Sequence, residues 1–255
     1  AAMADLARKR PDDFWLGDLL AEMRKTARRM NWNRPSPENL MRAFADSERR
    51  MIRTAGDLRS LILDSLTRYE DTLHGAPPAT ELWNETTRNR KKVWEPKDEN
   101  NLSDCLVLHL KRDLKKRGIF ASREVMIRKR FEEERAQLID IVVTAVPFTE
   151  DGKPGDPVTV IVEVKCAWND GVLKDMNRQL FARYLCNSEY DFGIYLVAYF
   201  SCKGWNRLKD SRISNGESRT SIKNLRAKLS LQAQQISTTE KRIDALVLDA
   251  RITNT

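Results

Sequence analysis

Leu138-Ile139-Asp140-Ile141-Val142-Val143-Thr144-Ala145-Val146 and Val158-Thr159-Val160-Ile161-Val162-Glu163-Val164-Lys165 are two apolar, β-branched runs with charges set inside them. Asp151-Gly152 and Pro154-Gly155 lie between, so the pair reads as a hairpin of two strands, over Leu138–Val146 and Val158–Val164, with an irregular tip. Side chains alternate across a strand, so Glu163 and Lys165 are expected on one face and Val162 and Val164 on the other. An ionised carboxylate in such a run is costly to bury unless it is paired or binds a cation. Asp140 on one strand and Glu163 and Lys165 on the next are therefore expected to share one pocket.

Outward from the hairpin, a strand is expected near Arg123–Arg130, where Val125 and Ile127 alternate with polar residues. Before it, a helix is expected from about Pro96 to Lys116, ended by Gly118. Beyond the hairpin, the pattern predicts a helix over Val172–Leu185, a buried strand over Ile194–Phe200, a polar helix over Glu217–Ile236 and a last strand over Arg242–Ile252. Three consecutive strands flanked by helices imply an α/β fold with a mixed central sheet covered on both faces. Residues 1–92 read as an all-helical region. Phe14, Trp15, Leu19, Leu20 and Met23 repeat at helical spacing, as do Leu40, Phe44, Met51 and Ile52 after Pro37, and Leu58, Leu61, Ile62, Leu66 and Tyr69. Arg88-Asn89-Arg90-Lys91-Lys92 reads as a basic linker to a second domain over 93–255.

The helix ahead of the strands supplies a third carboxylate. Leu102, Leu106, Leu110 and Leu114 form one stripe, and Glu99 projects onto its middle, near the helix N-terminus where the dipole favours an anion. Asp104 falls on the opposite side, towards solvent. Three inward carboxylates suit a hard cation such as Mg²⁺, which also binds phosphate oxygens. Such a cation activates water and offsets charge in phosphodiester hydrolysis, and a neighbouring lysine orients or deprotonates the attacking water. The plainer alternative is a buried ion pair of Lys165 with Asp140 or Glu163.

Asp140 followed by Glu163-Val164-Lys165, with Glu99 on the leading helix, resembles the PD-(D/E)XK (restriction endonuclease-like) nuclease superfamily, from about Trp94 to Phe200. The resemblance implies an αβββαβ core and Mg²⁺-dependent hydrolysis of nucleic-acid phosphodiesters, with Mn²⁺ able to substitute. It implies that Asp140, Glu163 and the Val164 carbonyl bind metal, that Lys165 assists the water, and that Glu99 acts through a bound water or as a ligand. Ile139 stands where the motif has proline. Some exonuclease branches carry Gln-x-x-x-Tyr on the next helix; here Gln179 is present but Tyr184 comes one residue late. Gln179 is expected either to reach the site or to be an ordinary polar residue at the edge of the helix. Glu163-Val164-Lys165-Cys166-Ala167-Trp168-Asn169 and Gly193-Ile194-Tyr195-Leu196-Val197 look like nuclease modules of bacterial anti-phage defence proteins, in which a sensor releases or assembles the nuclease. On that resemblance residues 1–92 would be a docking or oligomerisation element for a sensor, an activator or a second copy.

The net charge of +8 suits a polyanionic partner. Lys111-Arg112, Lys115-Lys116-Arg117 and Arg128-Lys129-Arg130 flank the site in sequence and either grip phosphates or are solvated faces. No recognition helix or RNA-reading motif is visible, so cutting with low sequence specificity is expected, on DNA, with RNA open. Trp168 reads as core, with base stacking as the alternative. Trp205 and the loop Ser211–Ser218 are a candidate substrate rim. Cys105 and Cys186 read as buried thiols, and the cysteine and histidine spacing argues against a structural zinc site or a required disulfide. No run is long enough to span a bilayer, so a soluble, cytoplasmic protein without membrane contact is expected. A non-catalytic nuclease-fold module that binds nucleic acid or a partner is the second functional expectation, and a helical interaction domain over residues 1–92 the third.

Overall fold

The computed structural model describes residues 52–75, 80–88, 91–115, 118–126, 138–147, 153–186, 188–205 and 210–252, with the helical positions Trp15, Leu19, Glu22, Met23 and Thr26 before them. The chain divides into two compact units, Ala1–Met51 and Ile52–Thr255. In the first, Trp15, Leu19 and Met23 are exposed, and the helix expected after Pro37 lies outside the described residues up to Met51. The second unit begins well before residue 93, so the helix with Leu58 and Leu66 shares a core with the sheet.

That helix is α1, Ala55–Leu73, and its start is written in a capping box: Thr54 Oγ1 accepts from the Asp57 backbone N–H while the Asp57 carboxylate accepts from the Thr54 N–H. Its buried stripe is the expected one. Residues 83–96 correct the all-helical reading, because they form an antiparallel pair, β1 (Trp83–Arg88) and β2 (Lys91–Pro96). Of the segment read as a basic linker, Arg88 and Lys91 pair across this hairpin, and residues 89–90 lie outside the described residues. Two tryptophans at its open end explain why it forms. Trp83 and Trp94 are buried, and Trp83 donates its indole N–H to the Ala250 carbonyl at 2.7 Å.

Next comes α2, Glu99–Asp113, capped by Asp98, whose side chain accepts from the Asn101 N–H. Gly118, at φ 66°, takes the left-handed conformation that ends the segment. The sheet follows: β3 (Ile119–Met126), β4 (Leu138–Ala145), β5 (Val158–Cys166), then α3 (Val172–Asp175, continued over Met176–Leu185), β6 (Phe192–Tyr199), α4 (Ile222–Ile236) and β7 (Arg242–Asp249). The first sheet strand starts earlier than expected, directly after Gly118, with Ile119 and Ala121 facing in and Phe120 out. Residues 127–130 lie outside the described residues. Strand order is β3-β4-β5-β6-β7, antiparallel across β3-β4-β5 and parallel across β5-β6-β7. This is a mixed five-stranded sheet in an α/β fold, with the element order helix, three strands, helix, strand.

Two cores cover its faces. Val160, Val162, Val164, Ile194, Leu196 and Leu248 pack beneath α1 and α2. Ile161, Tyr195, Val197, Ile243 and Val247 pack beneath α3 and α4. The connection α3 begins as an α-helix at Val172–Asp175 and continues as a π-helix over Met176–Leu185, ending with the Cys186 N–H on the Phe181 carbonyl at 2.9 Å. Cys186 is exposed there, which corrects the expectation of a buried thiol, and Cys105 is half-buried. Among the described residues no helix is long and apolar enough to cross a membrane.

Candidate active site

The site forms where β4 and β5 part. Their pairing stops at Ile141 opposite Val162. Two residues further on, the same register would set Ile139 against Val164, but there the Asp140 side chain takes over: its Oδ2 accepts from the Val164 N–H at 2.8 Å. The next N–H on that edge, from Cys166, is taken by Glu99 Oε1 at 3.0 Å. Buried backbone donors need acceptors, and at this edge two carboxylates supply what the missing strand does not. In a strand the N–H and C=O of one residue point to the same edge, so the Val164 carbonyl faces the same gap.

The side chains of β5 divide as alternation requires. Val162 and Val164 join the α1–α2 core, while Glu163 and Lys165 project to the other face. Glu163 is 1% exposed and Lys165 7%, and Lys165 Nζ donates to Glu163 Oε1 at 2.7 Å. The second oxygen, Glu163 Oε2, is buried and has no hydrogen-bond partner. Burial, and then the nearby Asp140 charge, push the Glu163 carboxyl up to about 7 against the pull of Lys165. Burial likewise raises Asp140. For Lys165, burial opposes the charge, but Glu163, Asp140 and Glu99 outweigh it and hold the ammonium charged. Three carboxylates thus act on one lysine.

Glu99 aims at the sheet, as its place on the leucine stripe implies, and Asp104 faces solvent with its side chain 64% exposed. Arg123 on β3 was not singled out by the sequence; it bonds the Asn100 carbonyl at 2.9 Å and Asp104 at 2.7 Å, and its charge lowers Asp140. Asn169 was also missed as a contact: it donates Nδ2–H to Glu99 Oε1 at 3.0 Å. The Asn-x-Gly spacing of Asn169 and Gly171 was the available signal, since it forms an Asx turn with the Gly171 N–H on Asn169 Oδ1 at 2.8 Å. A fourth carboxylate, Asp175, is buried on α3 and its charge also reaches Glu163. A Cβ at Gly171 would run into the Asp175 carboxylate, so a larger residue there would push that side chain aside.

Gln179 is half-buried, and among the described residues no hydrogen bond joins it to these groups. Tyr184, one residue late in sequence, is brought back by the π-helix, whose i→i+5 ladder stacks residues five apart on one side. Its hydroxyl donates to the Leu138 carbonyl at 2.7 Å, tying α3 to the start of the strand that carries Asp140.

Lys111 and Arg112 occupy the last turn of α2. At 1.5 Å per residue they stand about 18 Å along the axis from Glu99. Residues 116–117 and 128–130 lie outside the described residues. Trp168 packs on the core, 5.0 Å from Phe200 and 6.1 Å from Trp205 between ring centroids, with Arg212 5.3 Å from its ring. The loop Ser211–Ser218 is pinned rather than open, because Arg212 donates to the Pro96 carbonyl at 3.1 Å and the Glu217 N–H to the Ala167 carbonyl at 2.7 Å.

Among the described residues no three His, Cys, Asp or Glu side chains stand close enough together to hold a metal ion as they are. The donor chemistry nevertheless fits a hard divalent cation. Glu163 Oε2 is unpartnered, the Val164 carbonyl faces the gap, and the carboxylates exceed the one lysine among them in charge. Comparison with protein-family models, with curated proteins and with solved structures finds no match to the chain.

Proposed function

We propose that this chain is a metal-dependent nuclease of the restriction-endonuclease-like class, hydrolysing DNA phosphodiester bonds with low sequence specificity. The observation that carries this reading is Glu163 Oε2, a buried carboxylate oxygen without a partner beside Asp140 and Lys165. Leaving such an oxygen unsatisfied costs free energy that a bound cation would return. Asp140, Glu163 and the Val164 carbonyl would hold Mg²⁺ or Mn²⁺, with Glu99 at the margin of the set. The cation supplies Lewis acidity towards a phosphate oxygen and the attacking water.

The chain's own residues do the rest. Lys165, kept charged by its carboxylate neighbours, offsets negative charge developing on the phosphate, and as an ammonium it orients water rather than deprotonating it. Asp140 and Glu99 fix the edge of β5, so the charged face of that strand keeps its geometry. Hydrolysis is direct, with no covalent intermediate. On this reading the protein works in the cytoplasm as an effector of bacterial anti-phage defence, and the unit Ala1–Met51, rather than all of residues 1–92, docks a sensor or a second copy.

One observation favours a second reading. Both Asp140 and Glu99 already serve as acceptors for backbone N–H groups, a structural task that a non-catalytic binding module would also need. Cleavage of supercoiled plasmid with Mg²⁺, Mn²⁺ or EDTA, beside Lys165→Ala, separates the two. Metal-dependent nicking that the variant loses is the expected result. Intact plasmid, and intact RNA, under every metal would make the binding module the better account.

A further inference from the structure

The turn that follows β5 holds Glu99 from the side opposite its own helix. Glu99 Oε1 receives two hydrogen bonds, one from the Cys166 backbone N–H and one from Asn169 Nδ2, each 3.0 Å long. The Asn169 amide cannot turn over without loss, because its Oδ1 accepts from the Gly171 N–H at 2.8 Å, which leaves Nδ2 facing the carboxylate. The backbone of the same residue is fixed at both ends: its N–H donates to the Cys166 carbonyl at 2.9 Å and its carbonyl accepts from the Val172 N–H at 3.1 Å.

A second segment braces this turn. Gly216, at φ 51°, lies so close that a Cβ there would meet the Ala167 carbonyl oxygen at 2.6 Å and that of Asn169 at 2.7 Å. The adjoining Glu217 N–H donates to the Ala167 carbonyl. A turn restrained on two sides presents one donor in one direction, towards Glu99.

We infer that Asn169 is a positioning residue for Glu99: its amide, locked by Gly171 and braced by the Gly216 loop, fixes the Glu99 carboxylate by holding Oε1, so that Oε2 is the oxygen left for the site. The inference deepens the nuclease reading and rests on it for its consequence in cleavage. The hold on Glu99 can be measured without any metal.

Two variants separate positioning from mere turn formation. Asn169→Asp keeps an oxygen for the Gly171 N–H but replaces the donor to Glu99 with a second carboxylate oxygen. Asn169→Ala removes both contacts and adds no charge. The readout is hydrogen exchange at the Cys166 amide in the metal-free protein, since that amide shares Glu99 Oε1. Positioning predicts faster exchange in both variants, with Asn169→Asp the faster because like charges drive Glu99 off. A turn-only role predicts the reverse order, with Asn169→Asp near wild type, and that order overturns the inference. Mn²⁺ titration followed by the free-ion paramagnetic resonance signal supplies the functional arm: Asn169→Ala is expected to weaken uptake by about tenfold, as loss of a ligand-orienting partner does. Wild-type protein that takes up no Mn²⁺ would remove the nuclease reading, and the amide order would then decide Asn169 alone. Should Asn169→Asp fail to fold, unchanged Cys166 exchange in Asn169→Ala is enough to overturn it.

Discussion

From Val158 to Val162, β5 pairs with β4, joined on its other edge by β6 from Ile161, and its side chains there are Val, Thr, Val, Ile and Val. From Glu163 to Cys166 the same strand keeps β6 but loses β4, and within those four residues it carries a glutamate and a lysine. In the first half the edge towards β4 is satisfied by another backbone. In the second it is satisfied by the carboxylates of Asp140 and Glu99, which come from a strand end and a helix start. A strand that loses its neighbour opens a gap lined by polar backbone, and only there can charges sit inside a sheet without facing hydrocarbon on every side. The first half is expected to govern stability and the second half activity.

The largest effect expected from that division is Asp140→Asn. The amide oxygen still accepts from the Val164 N–H, so the strand edge is kept while the charge is lost. Plasmid cleavage should fall by roughly a hundredfold or more, with little change in the melting temperature. A variant that unfolds instead would mean that the Asp140 charge serves the fold. The mirror experiment is Val160→Ala in the half that pairs with β4. Val160 is wholly buried, so its loss leaves a cavity worth about 2–3 kcal/mol. Denaturant unfolding should show that loss while cleavage per folded molecule stays at the wild-type level.

Next in size is the response to pH, which belongs to the open half alone. Glu163 ordinarily titrates at 4.5 and is pushed up to about 7 by burial and Asp140. A carboxyl raised in the folded state holds its proton there after the unfolded chain has lost its own. Without metal, the Glu163 contribution to stability should therefore fall as pH rises from 4.5 towards 7, by at most about 1.4 kcal/mol per pH unit. A cation must displace the same proton, so Mn²⁺ uptake should tighten up to about tenfold per pH unit below 7 and level off above it. Thermal melts and Mn²⁺ titrations between pH 5 and 8 test both slopes. Glu163→Gln should remove the Glu163 share of both slopes, so a variant that runs parallel to wild type across this range would place the titrating group elsewhere.

The contrast also explains what could be read from the amino-acid order. Alternation in β4 and β5 and the four-leucine stripe of α2 carry a period, and each depends on burial against a face that the sequence itself advertises. That is why Glu163, Lys165 and the inward aim of Glu99 were legible. The hairpin of β1 and β2 was not, because its strands owe their place to two tryptophans and a distant carbonyl at Ala250 rather than to alternation. The π-helix was hidden for another reason: Gln179 and Tyr184 look misregistered until the ladder shifts by one. Asn169 stood in view without a role, since a turn asparagine gives no hint of which carboxylate will meet its amide. The basic residues of α2 flank the site in sequence, and helix length carries Lys111 and Arg112 about 18 Å from Glu99.

The smallest expected effect tests whether α2 really sends one carboxylate in and the other out. Asp104→Ala removes a side chain that is 64% exposed and one ion pair, to Arg123 at 2.7 Å. Exposed pairs of this kind contribute about 0.2–1 kcal/mol. Arg123 also keeps its bond to the Asn100 carbonyl, so it should stay near enough to act on Asp140. Cleavage close to wild type is therefore expected from Asp104→Ala, beside a large loss from Glu99→Ala. Silence in both would leave α2 without a part in the chemistry. An inactive Asp104→Ala protein that still folds would transfer the helix's role from the carboxylate on the leucine stripe to the one facing solvent.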